Sequence, residues 1–212
     1  MQNYLNQLIP QIQNNSNMAF IGQKGCGKTS LGQFFQPLFP RKVIIDTKGE
    51  YFDQSPGNYH AHGFNDFITK LDKLLPYDKW NLIYHFSPGS DRYLVTDEIV
   101  RNVYQAEQIY TVIEEIHLIA SSHRISPHLL ELVSTGRSRD CGYMITSTRP
   151  AGVHNSLLTE IDFFFLGRLL ASSDRDAFRD ILGESKKELS HLQNYNFMLY
   201  NVKTNEKTLI QT

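Results

Sequence analysis

The run Gly22-Gln23-Lys24-Gly25-Cys26-Gly27-Lys28-Thr29, placed directly after the apolar stretch Met18-Ala19-Phe20-Ile21, restricts the fold more than any other feature of the chain. In a G-x-x-x-x-G-K-T spacing the glycines let the backbone curl until successive N–H groups face one anion, and the lysine reaches the outer phosphates of a nucleotide. The threonine hydroxyl is then free for Mg2+. Such a loop needs a strand before it and a helix after it. Met18 to Ile21 suits a strand buried on both faces of a parallel sheet. Lys28, Leu31, Phe34 and Phe35 predict a helix that stops before Pro37 or Pro40. The nucleotide-binding candidates are Gly22, Gln23, Lys24, Gly25, Cys26, Gly27, Lys28, Thr29 and Ser30, with Cys26 read as a tolerated small residue.

The rest of the chain alternates in the same way. Val43-Ile44-Ile45-Asp46, Leu82 to Phe86, Tyr110 to Ile113, Tyr143 to Ser147 and Phe163 to Leu166 predict buried strands. Helical spacing falls between them: Phe67 to Leu75, about Asp91 to Gln108, and Leu129 to Thr135. Phe52 to Gly63 reads as a loop. Two late helices (Asp174 to Leu182, Ser185 to Leu192) lead to a hairpin pairing 197–202 with 207–211. At the other end, Leu5, Leu8, Ile9 and Ile12 predict a short helix broken by Pro10. Strand–helix alternation of this kind gives a mostly parallel central sheet flanked by helices. The expected class is α/β, a P-loop NTPase of the ASCE or RecA-like type, closed by a C-terminal β-hairpin. We expect one domain over 1–212, with an N-terminal helix and loop (1–17), a nucleotide-binding core (18–170) and C-terminal helices with the hairpin (171–212).

A phosphate cradle becomes catalytic when an apolar strand delivers acid beside it. Tyr110-Thr111-Val112-Ile113-Glu114-Glu115 does so. By position Glu114 helps Thr29 hold Mg2+, through water because its carboxylate stands one methylene further out than that of Asp. Glu115 orients or deprotonates the attacking water. With Lys28 as the phosphate-binding cation, this predicts hydrolysis of ATP rather than phosphoryl transfer to a metabolite. A nucleotide switch remains the alternative that Gly-Lys-Thr alone permits.

Composition trims the possibilities. The net charge of -1 excludes a protein that coats nucleic acid through bulk basicity, so any contact with DNA must be confined to a few loops. No apolar run approaches the roughly 18 residues of a membrane span, and Met1-Gln2-Asn3-Tyr4 does not open a secretory signal, so the expected setting is cytoplasmic without membrane insertion. Cys26 and Cys141 make no disulfide or metal framework. His60, His62, His117, His123 and His128 lack ligand spacing and read as solvated or phosphate-contacting side chains.

Taken together, Gly22 to Thr29, Asp46-Thr47-Lys48-Gly49-Glu50-Tyr51, Val112 to His117, Thr135-Gly136-Arg137-Ser138-Arg139 and Ser147-Thr148-Arg149-Pro150 resemble the FtsK/HerA superfamily of DNA-pumping ATPases. The short chain is most similar to the genome-packaging ATPases of membrane-containing viruses and phages. The resemblance implies a hexameric ring that translocates double-stranded DNA into a preformed capsid, ATP and Mg2+ at subunit interfaces, and an arginine finger from the neighbour. It also implies capsid or portal-vertex proteins as partners, in the host cytoplasm or the virion. Arg137 and Arg139 occupy the family's Gly-Arg segment, and Arg149 is a third candidate. The other motors it admits are those of conjugation or filamentous-phage morphogenesis, and an ATP-binding assembly subunit without translocation is a further alternative. Where the family usually has a glutamine before Arg-Pro, this chain has Thr148. Tyr51 to Phe64 and Ser121 to His128 are candidate pore loops.

Overall fold

Each strand of the core divides its side chains between two apolar layers, so even the continuous apolar runs obey the period of two that a pleated sheet imposes. In β1 (Met18–Ile21) Ala19 and Ile21 point into one layer and Met18 and Phe20 into the other. The same division holds in β2 (Arg41–Asp46), β5 (Tyr110–Ile113) and β7 (Phe163–Leu166). The computed structural model describes residues 8–211. β3 (Asn58–His62), β4 (Trp80–His85), β6 (Tyr143–Ser147), β8 (Asn196–Asn201) and β9 (Glu206–Gln211) complete one nine-stranded sheet, ordered β3-β4-β2-β5-β6-β1-β7-β8-β9. The pairs from β3 across to β7 are parallel, and β7-β8-β9 closes the sheet antiparallel, with Phe197 opposite Ile210. The fold class matches expectation, and the hairpin extends the central sheet.

One sheet face is covered by α2 (Phe64–Leu74), α3 (Arg92–Ala106) and α4 (Pro127–Thr135), which bury Phe67, Leu71, Ile99, Val103, Leu129 and Leu132. The other is covered by α1 (Lys28–Phe35), which buries Leu31 and Phe35, and by Leu8 and Phe39. Phe20, Phe35 and Phe165 form an aromatic stack there, the rings of Phe20 and Phe165 lying 4.5 Å apart. The N-cap of α3 is Asp91, whose carboxylate accepts from the N–H groups of Tyr93 and Leu94. No helix among the described residues is long and apolar enough to cross a membrane.

Two expectations are corrected. The stretch from Phe52 to Gly63 contains the edge strand β3, paired to β4 through Ala61 and Tyr84; its side chains Asn58, His60 and His62 are polar on one face, which hid the strand from a reading based on apolar runs. The late helices break into Ser172–Asp176, Arg179–Leu182 and a 3-10 turn over Gly183–Ser190, because Gly183 sits at φ 56° and interrupts them. Of the N-terminal helix expected around Leu5, Leu8, Ile9 and Ile12, Leu5 lies outside the described residues, and Ile9–Gln11 form a 3-10 turn that carries Pro10.

Candidate active site

The phosphate loop leaves β1 at the carboxyl end of the sheet, where open α/β sheets bind their ligands. Gly25 and Gly27 take φ 80° and 99°, values that side chains resist, and Lys28 begins α1. Gly22 is required for another reason. A β-carbon there would stand 2.7 Å from the sulfur of Cys26, which fills the space beneath the loop against Gly22 and Gly167. Cys26 is thus a packing element of the loop, fully buried, and burial raises its thiol pKa. The Lys28 ammonium bends back to donate to the Gln23 carbonyl at 3.2 Å, and burial lowers its pKa.

A cleft of about 270 Å³ opens on this loop, lined by Lys24, Gly25, Gly27, Lys28, Thr29 and Ser30, with Lys48, Glu50 and Tyr195 on its far wall. Tyr195 comes from the segment before β8. Its backbone N–H donates to the Cys26 carbonyl at 2.9 Å, and its ring lies so close over Gly27 that a β-carbon there would meet it at 2.7 Å. No local pattern marked Tyr195 in the sequence. Gln23 is held from the same side, its N–H donating to the Arg168 carbonyl at 2.9 Å.

The acidic pair stands across from the loop, because β6 is inserted between β1 and β5 and its last residues face both. Glu115 is buried, in the left-handed region at φ 46°. One of its carboxylate oxygens accepts from the Lys48 ammonium at 2.7 Å, and the other accepts from the N–H and hydroxyl of Thr148, both at 3.0 Å. Burial alone raises a carboxyl pKa, but the Lys48 hydrogen bond and charge, backed by Lys28, outweigh it and hold Glu115 below its ordinary value. On Lys48 burial opposes the charge, and Glu115 overcomes it so that the pKa rises; the two partners agree. His117 stands 3.3 Å from the second Glu115 oxygen and 3.1 Å from the Ser147 hydroxyl. It is therefore engaged at the site instead of being solvated.

Glu114 is buried, and each of its oxygens accepts from a protein hydroxyl. Tyr51 donates to one oxygen at 2.9 Å and Thr146 to the other at 2.7 Å, and burial raises its pKa. Tyr51 in turn accepts from the Gln36 amide at 3.0 Å. Tyr51 is thus a buried support of the acidic pair, a correction to its expected place in a pore loop. Asp46 shapes that support, since its carboxylate accepts from the N–H groups of Gly49, Glu50 and Tyr51 and fixes the turn carrying Lys48.

Arg137 and Arg139 precede β6 and so lie at the opposite, amino end of the sheet from their own phosphate loop. Arg137 pairs with Asp162 at 2.8 Å, and Arg139 pairs with Glu107 at 2.6 Å while lying over the Tyr104 ring. Arg149, just after β6, is at the carboxyl end with the phosphate loop. Of the other histidines, His128 bonds Asp97, His60 and His62 stack on His85, and His123 is exposed as expected of a solvated side chain.

No protein-family model and no curated protein matches the chain. Solved structures do. The genome packaging NTPase B204 from Sulfolobus turreted icosahedral virus 2, in complex with ATP-gammaS, aligns at a TM-score of 0.74 and 17% identity over 94% of this chain and 98% of that one. The fold is that of a P-loop NTPase. The same B204 in complex with AMPPCP gives 0.75 at 16% identity over 93% and 98%. VirB4 of Thermoanaerobacter pseudethanolicus gives 0.63 at 9% identity over 92% and 88%. This is the fold that the FtsK/HerA resemblance implies.

Proposed function

We propose that this chain is an ATPase that works as a ring-forming motor on double-stranded DNA, with packaging of a viral genome into a preformed capsid as its task. The observation that carries the reading is the position of Glu115 across from a fully formed phosphate loop, held there by Lys48 and Thr148. A kinase for a small metabolite needs an acceptor pocket beside the phosphates; here a buried carboxylate suited to activating water stands behind Lys48, which lines the cleft. The likeness to B204, a genome packaging NTPase, over nearly the whole of both chains supports packaging over the conjugation and filamentous-phage morphogenesis motors.

The residues fit MgATP. The N–H groups of residues 24–29, two of them freed by left-handed glycines, suit the phosphates, and Lys28 supplies the charge that reaches the outer pair. Thr29 would hold Mg2+, with Glu114 behind it through water; the cation neutralises phosphate charge. Both Glu115 oxygens already accept from protein groups, one from Lys48 and the other twice from Thr148. Lys48 lines the nucleotide cleft, so it is the partner that can transfer to a phosphate and release one oxygen for water. Thr148 keeps the other oxygen oriented. Arg137 or Arg139 would act on a neighbouring subunit, exchanging its ion pair within the chain for that phosphate. We take the ring to be a hexamer, with capsid or portal-vertex proteins as further partners in the host cytoplasm or virion.

The test is phosphate release with and without linear duplex DNA of two unrelated sequences across a salt series. A motor of near-zero net charge makes few phosphate contacts per subunit. Stimulation should be equal for both sequences and fade as salt rises, since log K falls by roughly 0.9 per neutralised phosphate for each tenfold increase. No stimulation at any salt, with rings assembled and ATP saturating, replaces the motor with an ATP-binding switch or assembly subunit.

A further inference from the structure

On the second face of the sheet α1 packs over β1 and β6, and a polar cavity has formed beyond it, over β2, β4 and the edge strand β3. Register places Lys42, Asn81 and Asn58 side by side across the three strands, with Ile44 and Ile83 as the next row. Over these rows, Gln33 and Gln36 from the end of α1 and Lys79 from the turn before β4 enclose a cavity of about 510 Å³, with Tyr51 on its inner wall.

Lys42 is unusual. It is 5% exposed, yet its ammonium has a single hydrogen bond, to the Phe39 carbonyl at 3.0 Å. Neither it nor Lys79 forms an ion pair among the described residues. Asp53, the acid on the cavity rim, spends its carboxylate on Ser55 and Asn58. A buried ammonium is ordinarily paired or heavily hydrogen-bonded, because its desolvation is otherwise uncompensated. Burial, with Lys79 adding repulsion, pushes the Lys42 pKa down to about 8. Two cations and several amides therefore converge on one space against a single lining carboxylate, Asp53, so that the two lysines outweigh it by one positive charge.

We propose that this cavity is a second ligand site, separate from the phosphate loop, and that it binds a small tetrahedral anion of the phosphate class. Lys42 and Lys79 supply the charge, and Gln33 and Gln36 supply amide donors. Gln36 also donates to Tyr51, which donates to Glu114, so Gln36 itself sits two hydrogen bonds from the acidic pair. The inference does not depend on the motor reading, because it concerns a different cavity and is read by binding alone.

The probe is inorganic phosphate at constant ionic strength, titrated into Lys28→Ala protein so that the phosphate loop is weakened, with the unfolding midpoint as readout. Saturable stabilisation is expected, following RT ln(1 + [L]/Kd). Adding Lys42→Met should weaken the fitted Kd by about 10–100-fold, the loss of one charge-assisted hydrogen bond. Methionine keeps the length of the buried stem, and Lys79→Met, at an exposed position, gives a second variant with a smaller loss in the same direction. Three results overturn the proposal: no stabilisation of Lys28→Ala, equal stabilisation with and without Lys42→Met and Lys79→Met, or stabilisation by short duplex DNA but not by phosphate.

Discussion

Replacing Lys48 with methionine tests the clamp on Glu115 without touching the phosphate loop. Removing one partner of a fully buried pair costs about 3–5 kcal/mol, whereas an exposed pair is worth about 0–1 kcal/mol. Here the carboxylate side chain is 2% exposed and the ammonium side chain 34% exposed, so the pair lies between these cases. We expect a loss of about 1–3 kcal/mol at neutral pH, or roughly 2–12 °C in Tm for a domain of this size.

The pH dependence separates this mechanism from lost packing. In the native protein Glu115 titrates below its unfolded value of about 4.3, so its contribution is present above that pH and lost as pH falls through the folded pKa. Without Lys48, burial becomes the leading influence and the pKa moves up, so ionisation on going from about pH 4 to pH 6 destabilises the variant. The difference between the two proteins should therefore be smaller at pH 4 than at pH 7.5, widening as Glu115 ionises in the variant and level once it has done so. Glu114, raised by burial in both, largely cancels in that difference. Urea unfolding at intervals from pH 4 to 8 measures it. A difference that is the same at pH 4 and pH 7.5, or absent at pH 7.5, refutes the clamp.

Further outcomes follow from the same geometry. Lys28→Ala should lose binding of a fluorescent ATP analogue, whereas Glu115→Gln should keep it and lose about 10²–10⁴-fold in phosphate release. Tyr51→Phe leaves one oxygen of a buried carboxylate without a donor, which should cost about 1–3 kcal/mol at pH 7 and less near pH 4, read by urea unfolding. Arg137→Ala or Arg139→Ala should slow phosphate release by about 10³-fold or more if either is the finger, and mixing with Glu115→Gln should restore part of it. If neither change slows assembled rings, neither arginine is the finger.

What the sequence revealed follows from what is local in it. The phosphate loop, its strand and its helix are contiguous, and Lys28–Phe35 begins and ends where glycine and proline chemistry place it. The acidic strand was legible because its burial leaves a continuous apolar run. β3 was not, since an edge strand need not be apolar on both faces, and Asn58, His60 and His62 line its polar one. Tyr195 and Arg168 were equally hidden. They reach the phosphate loop only because β7 and β8 lie beyond β1 in the sheet, a placement that strand order decides and spacing along the chain does not.

Thr148 shows how a departure from a family pattern is understood only in three dimensions. In the sequence it stands where a glutamine is usual, which left the sensing of a γ-phosphate without its ordinary side chain. In the structure its hydroxyl and N–H are both directed to one oxygen of Glu115, and Lys48 takes the other. A threonine is too short to reach far into the cleft, but it is stiff at χ1, so its hydroxyl stays aimed where the backbone N–H already points. The position then orients the acid and leaves the phosphate to other groups. In the proposed mechanism the mobile partner is the cation on the opposite side, Lys48, whose four-carbon stem joins Glu115 to the cleft it already lines.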